Sequence, residues 1–313
     1  MKPTIVFLDT DTLELPESLK ELHSIGNLIL YSCTLPDQTI DRSRQADVII
    51  TNKVVISKDV IEACSNLKLI CIAATGMNNV DVEYAEKKGI VVKNAVGYST
   101  NSVAQCTFAL LFELIHRVSY YDAFVKSGAY SQQPIFTHIG KGFEELTNKK
   151  FGIIGLGNIG RKVAEIATIF GARVSYFSTS GVKREEKYPS ETLEQLLSTS
   201  DIVSIHAPLN ERTKGLIRYK ELKMMKPTSY LLNMGRGGII VERDLYQVLE
   251  EGHLAGVALD VFEREPIDMH HPFLTIKSRE RLLLTPHIAW TSLQARQRLV
   301  QIMIDHIRYF FKK

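Results

Sequence analysis

The stretch 149–178, KKFGIIGLGNIGRKVAEIATIFGARVSYFS, constrains this chain more than any other. An apolar run at 151–154 leads into Gly155-Leu156-Gly157-Asn158-Ile159-Gly160, after which Val163, Ile166, Ala167 and Phe170 recur at helical spacing and 174–177 reads as a second strand. Strand, glycine turn, helix and strand in that order predict a dinucleotide-binding unit. Gly155 permits the tight turn, Gly157 lets the backbone approach a pyrophosphate, and Gly160 lets the helix pack on the strand. Asn158 and Ile159 open the helix, whose free N–H groups and dipole attract the anion.

One part of that fingerprint is missing. Where an acid normally closes the second strand and holds the ribose hydroxyls, the chain has Ser178-Thr179-Ser180, followed by Lys183 and Arg184. No carboxylate at Ser178 repels a 2′-phosphate, so NAD and NADP both stay open.

The 313 residues exceed one ordinary core, so two domains are expected. A net charge of +3 spread along the sequence, with no basic block interleaved with aromatics, argues against nucleic acid and for a small-molecule partner. No apolar run reaches membrane-spanning length, and the short run before Asp9 reads as a first strand rather than a signal peptide, so a cytoplasmic protein is expected. Cys33, Cys64, Cys71 and Cys106 lie scattered without CxxC spacing, which implies buried thiols and neither a disulfide framework nor a metal site.

Residues 4–95 alternate short apolar strands (5–8, 28–31, 48–51, 69–73, 90–92) with helices beginning near Pro16, Ser57 and Asp81. That is a parallel α/β domain whose strands end in polar loops, Thr51-Asn52-Lys53 and 74–79. Residues 98–126 read as one long helix capped by Asn101 or Ser102, and further strands follow at 202–205, 230–233, 254–259 and 282–284. A last helix, 292–311, returns to the first domain. The expected fold is α/β with two doubly wound parallel sheets: a flavodoxin-like substrate domain (1–98 plus 288–313) and a Rossmann dinucleotide-binding domain (99–287).

With these motifs placed, the chain resembles the D-isomer-specific 2-hydroxyacid dehydrogenase family over nearly its whole length. ATGMNNVD (74–81), the glycine fingerprint, HAPL (206–209), NMGRG (233–237), DVFEREP (260–266) and TPHIAW (285–290) occur in the family's order. The resemblance implies a catalytic set of Arg236, Glu265 and His287, with the nicotinamide near Asp260. It further implies that Thr100, His206, Pro208, Thr213, Met234, Gly235 and Ala289 lie at the cofactor, that Asn52, Thr75 and Gly76 bind substrate, and that the protein is a homodimer pairing through the helix after Tyr98. Within the family the chain looks most like glycerate dehydrogenases, which reduce hydroxypyruvate. Hydroxypyruvate or glyoxylate is thus the expected substrate, phosphoglycerate and D-lactate enzymes are the alternatives, and a dinucleotide-sensing corepressor is a remote one.

The chemistry asks for the same residue types. Reducing a 2-keto acid needs hydride at C2 and a proton on the new alkoxide, and histidine is the acid that titrates near neutrality. A carboxylate on the other ring nitrogen fixes the tautomer: Glu265, with Glu263 as the alternative. An arginine fork suits a planar carboxylate where a lysine's point charge does not. His270 and His271, in a polar loop, read as ordinary surface or satisfied core residues.

Overall fold

The computed structural model describes residues 2–14, 19–181 and 185–312; Pro16, Lys183 and Arg184 lie outside them. The chain separates into two compact units, 1–99 with 290–313, and 100–289. The junctions fall a residue or two beyond the expected ones, because Ile288 and Ala289 donate their amides to Asp260 and so stay with the second unit.

In the first unit β1 (Thr4–Phe7), β2 (Asn27–Leu30), β3 (Val48–Thr51), β4 (Leu69–Ile72) and β5 (Val91–Asn94) form a parallel sheet ordered β2-β1-β3-β4-β5, the flavodoxin-like arrangement. Its central strands are apolar without alternation because helices cover both faces. Ile5, Phe7, Val48 and Ile50 face one core with Leu299, Met303 and Ile307 of the helix Leu293–Phe311. Val6, Ile49 and Ile70 face the other, with Val60 and Ile61. The terminal helix thus returns to the first domain as expected, capped by Ser292.

The second unit holds β6 (Lys150–Ile154), β7 (Arg173–Phe177), β8 (Ile202–Ile205), β9 (Tyr230–Asn233), β10 (Gly256–Leu259) and β11 (Leu282–Leu284), all parallel and ordered β11-β10-β9-β8-β6-β7. Ser190 makes a parallel bridge to Tyr176 on the outer side of β7 and stands in for the third strand of a Rossmann sheet. The order therefore reverses between β6 and β8. That switch point is where such sheets bind ligands, and β6 ends at Gly155 while β8 ends at His206.

Several expectations need correction. The helix expected over 98–126 is two, Thr100–His116 and Val118–Lys126, broken at Arg117, whose φ is 52°. Neither Asn101 nor Ser102 caps the first, which already begins at Thr100; Ser102 instead donates its hydroxyl to the Ala289 carbonyl at 2.6 Å. β10 starts at Gly256, not 254, because Leu254 sits at φ 74°. Cys33 is exposed and Cys106 half-buried; only Cys64 and Cys71 are buried thiols. No helix among the described residues is long and apolar enough to cross a membrane.

Candidate active site

The glycine turn has the sterics its sequence demands. Gly155 sits at φ 92°, and a Cβ there would lie 2.9 Å from the Ala207 backbone. A Cβ on Gly160 would lie 2.3 Å from the Gly155 carbonyl oxygen, so the helix Asn158–Ile169 can approach β6 only through glycine. Gly157 is the opposite case: a Cβ there would meet nothing within 4 Å. Open space thus faces the first turn of that helix, whose N–H groups have no intrahelical acceptor, as an anion requires. A pocket of about 220 Å³ continues from it, lined by Gly155, Gly157, Ser178, Glu186, His206 and Pro208. These residues fit a dinucleotide.

His206 is half-buried, and desolvation pushes its imidazole down to about 3. It is therefore neutral at working pH, with Nε2 2.8 Å from the Ser204 hydroxyl and a buried Nδ1 that has no partner among the described residues. Thr213 does not line the pocket: its hydroxyl donates to the Pro208 carbonyl at 2.7 Å and so shapes the loop beneath. Met234 is buried at the end of β9, and Asn158, Ile159 and Gly160 sit in the first turn of the helix behind the glycines. Thr100 begins its helix without lining the pocket.

Three neighbouring strands deliver the reactive side chains. Arg236 follows β9, Glu265 follows β10 and His287 follows β11, and these strands are consecutive in the sheet. Arg236 sits between two glycines with no room for a side chain. A Cβ on Gly235 would lie 2.8 Å from the Ala207 oxygen, and one on Gly237 would lie 1.7 Å from the Phe262 oxygen. The turn is held from within by Asn233, which accepts from the Gly235 amide and donates to the Arg236 carbonyl.

His287 adopts φ 54°, a left-handed conformation that a β-carbon disfavours by about 1 kcal/mol or more. Asp260 over-determines it. Its Oδ1 accepts from the Thr285 hydroxyl at 2.6 Å and the Ile288 amide at 2.9 Å, and its Oδ2 accepts from the Ala289 amide at 2.9 Å. Burial pushes the Asp260 carboxyl upward, while these donors and His287 pull against that shift. His287 Nδ1 lies 2.7 Å from Glu265 Oε2, and Glu265 Oε1 accepts from the Phe262 amide at 3.0 Å. A carboxylate only accepts, so Nδ1 is the protonated nitrogen of this pair.

Glu263 is engaged elsewhere. It accepts from the Glu242 amide at 2.9 Å, and Glu242 accepts from the Glu263 amide at 2.7 Å. The other Glu242 oxygen is 3.0 Å from Nε2 of His271, which is thus a satisfied structural residue, part of a clasp on the loop that carries Glu265. His271 Nδ1 accepts from Phe273, leaving Nε2 to donate.

The first unit has its own switch point, between β1 and β3. There the buried Asp9 carboxylate accepts from the amides of Asn52, Lys53 and Val54 at 2.6 to 3.2 Å. Burial pushes its carboxyl upward, and the three amides oppose that shift. The loop thus fixed buries the Asn52 side chain, whose Nδ2 has no partner among the described residues. Thr75 follows β4; its hydroxyl donates to the Ala95 carbonyl at 2.9 Å, and Asn94 donates to its carbonyl at 2.6 Å. Gly76 comes next in this loop. Asp9, Glu186 and the Glu242–His271 clasp were missed in the sequence; only the position of Asp9 directly after an apolar strand could have signalled one of them.

Residues 108–289 match a family model described as D-isomer specific 2-hydroxyacid dehydrogenase, NAD binding domain. The chain is 35% identical over 298 residues to a hydroxypyruvate reductase of Blautia hydrogenotrophica, covering 94% of this chain and 92% of that one. It is likewise 35% identical over 323 residues to a glyoxylate reductase of Aeropyrum pernix, covering 99% and 93%. Among solved structures, D-lactate dehydrogenase from Aquifex aeolicus complexed with NAD and lactic acid superimposes with a TM-score of 0.83 at 27% identity, covering 99% of this chain and 95% of that one.

Proposed function

The chain belongs to the D-isomer-specific 2-hydroxyacid dehydrogenase family, and from that premise we propose that it reduces hydroxypyruvate to D-glycerate with NADH, with glyoxylate as its second substrate. It is an NAD-dependent oxidoreductase interconverting a small 2-keto acid and its 2-hydroxy acid. The observation that carries the reductase chemistry is the His287–Glu265 hydrogen bond at 2.7 Å, at the ends of the two strands beside the Arg236 turn, and the choice of hydroxypyruvate rests on the likeness to a hydroxypyruvate reductase.

When bound, the nicotinamide supplies the hydride. Arg236 takes the substrate carboxylate in its fork and polarises the neighbouring carbonyl. Glu265 holds the His287 ring by Nδ1, so Nε2 is the nitrogen that delivers the proton to the new alkoxide. Asp260 acts through His287, keeping its backbone in the left-handed conformation that aims the ring. In the first unit we assign substrate binding to Asn52, whose buried amide lacks a partner, and to the amides of Thr75 and Gly76. The test is a panel of hydroxypyruvate, glyoxylate, pyruvate and phosphohydroxypyruvate with NADH and with NADPH. Hydroxypyruvate should give the highest kcat/KM; a higher value for phosphohydroxypyruvate or pyruvate, or no turnover at all, would refute the assignment.

The protein is further proposed to be a cytoplasmic homodimer. Its four free cysteines suit a reducing compartment. After the helix Val118–Lys126, which buries none of its residues, Ile135, Phe136, Ile139 and Phe143 stand exposed, Phe136 at 88%. Apolar groups clustered this way mark an association surface, and a second copy would cover them. Phe136→Asp should therefore sediment as a monomer at micromolar concentration where the wild type sediments as a dimer; a monomeric wild type would end the proposal.

A further inference from the structure

We propose that Asp9 and Asn79 are positioning residues for the substrate, holding the loop 52–54 so that Asn52 meets the 2-keto acid without first having to be ordered. The inference deepens the proposed function and rests on the assignment of Asn52 to substrate binding. Asp9 follows β1 and Asn52 follows β3, its parallel neighbour, so the carboxylate reaches the loop from the adjoining strand. Asn79 belongs to the loop after β4, on the other side of β3, which also carries Thr75 and Gly76.

The two residues take up opposite kinds of backbone group. Asp9 Oδ1 accepts from the Asn52 amide at 2.9 Å, and Oδ2 accepts from Asn52, Lys53 and Val54 at 3.1, 2.6 and 3.2 Å. Asn79 Nδ2 donates to the Val54 carbonyl at 3.0 Å and the Asn52 carbonyl at 3.4 Å, and the Thr51 hydroxyl adds a bond to Val54 at 2.9 Å. Asn79 is itself anchored, its carbonyl accepting from the Ile56 amide at 2.7 Å. Asp9 is only 4% exposed, and a carboxylate so far out of water is costly unless it is hydrogen-bonded. Three successive amides meet that need, so the loop and the carboxylate fix each other. The clamp holds the buried Asn52 side chain with its Nδ2 lacking a partner among the described residues. A loose loop would turn such a donor to water or to a neighbouring carbonyl. A substrate carboxylate or keto oxygen is the acceptor it lacks, and the ordering that this bond requires is completed during folding.

The experiment is steady-state reduction of hydroxypyruvate by NADH, with NADH affinity and Tm measured alongside. The proteins are wild type, Asn52→Ala, Asp9→Asn and Asn79→Ala, and the last two each combined with Asn52→Ala. Asp9→Asn keeps the shape but turns an NH2 group toward the loop amides, so at least one of them loses its acceptor. A hydrogen bond to a charged group corresponds to about a tenfold change in affinity. Asn52→Ala and Asp9→Asn should each raise KM about tenfold and Asn79→Ala severalfold, with kcat changing less than KM and NADH affinity unchanged. In the Asn52→Ala background neither second substitution should raise KM further, because its effect runs through a side chain that is gone. A merely structural role would give the same loss in both backgrounds. Asn79→Ala carries the test if Asp9→Asn does not fold. Additive losses in the double variants, or wild-type KM in Asp9→Asn or Asn79→Ala beside a raised KM in Asn52→Ala, would overturn the proposal and leave Asn52 a substrate residue. An unchanged KM in Asn52→Ala would overturn the proposal together with that assignment, and a folded wild type that did not turn over hydroxypyruvate would overturn the proposed function as well.

Discussion

His287→Ala should lower kcat/KM for 2-keto acid reduction by about 10²- to 10⁴-fold, the usual contribution of a positioned acid, with NADH affinity unchanged. The ring stands at the end of β11, two strands from the Arg236 turn, with a carboxylate on its Nδ1. Glu265→Gln should give a smaller loss, because the amide still reaches Nδ1 but no longer favours the protonated ring. The pH profile identifies which histidine matters. Reduction consumes a proton from His287 and should slow as pH rises, whereas oxidation needs the neutral ring and should speed up. His206 cannot produce that limb, since burial pushes it down to about 3 and it stays neutral throughout. The measurement is kcat/KM in both directions against pH for wild type and both variants, with hydride transfer rate-limiting. A His287→Ala enzyme that kept the wild-type rate and profile would show that another group is the acid.

Much of this was legible in the sequence because glycine states a steric requirement locally. The turn 155–160 is short, its strand and helix are adjacent in sequence, and each glycine proves to face backbone or open space as the pattern requires. Arg236, Glu265 and His287 came from the family resemblance of their motifs, and the apolar runs that precede those motifs are the strands β9, β10 and β11. What stayed hidden involves partners far apart in sequence. Asp9 meets Asn52 across 43 residues and Glu242 meets His271 across 29, with no period to announce either. The Ser190 bridge is a single residue, too short for alternation to register. The break at Arg117 was invisible because 98–126 contains neither glycine nor proline. Only packing separates its halves: Thr100–His116 buries eight residues and Val118–Lys126 none.

Gly237→Ala should be as damaging as many direct losses of a reactive side chain, although glycine does no chemistry. The added Cβ would stand 1.7 Å from the Phe262 oxygen and 2.7 Å from the Glu263 amide nitrogen. Both are backbone, so neither can rotate aside, and the strands after β9 and β10 must separate. Overpacking of this kind usually destabilises by about 1–3 kcal/mol, and a backbone partner puts this case at the upper end. For a unit of this size that corresponds to a fall in Tm of roughly 10 °C. Activity should suffer beyond stability, because the displaced turn carries Arg236 and the opposing loop carries Glu265. A misplacement of about 1 Å can lower turnover on the order of 10²-fold. The discriminating comparison is Gly237→Ala made in an Arg236→Ala background. If the glycine acts by aiming the guanidinium, its effect on kcat/KM should be largely absent there while the drop in Tm persists. A full, additive loss in both backgrounds would mean that the damage runs through the Glu265 loop instead, and a wild-type Tm would mean that the two turns do not pack as described.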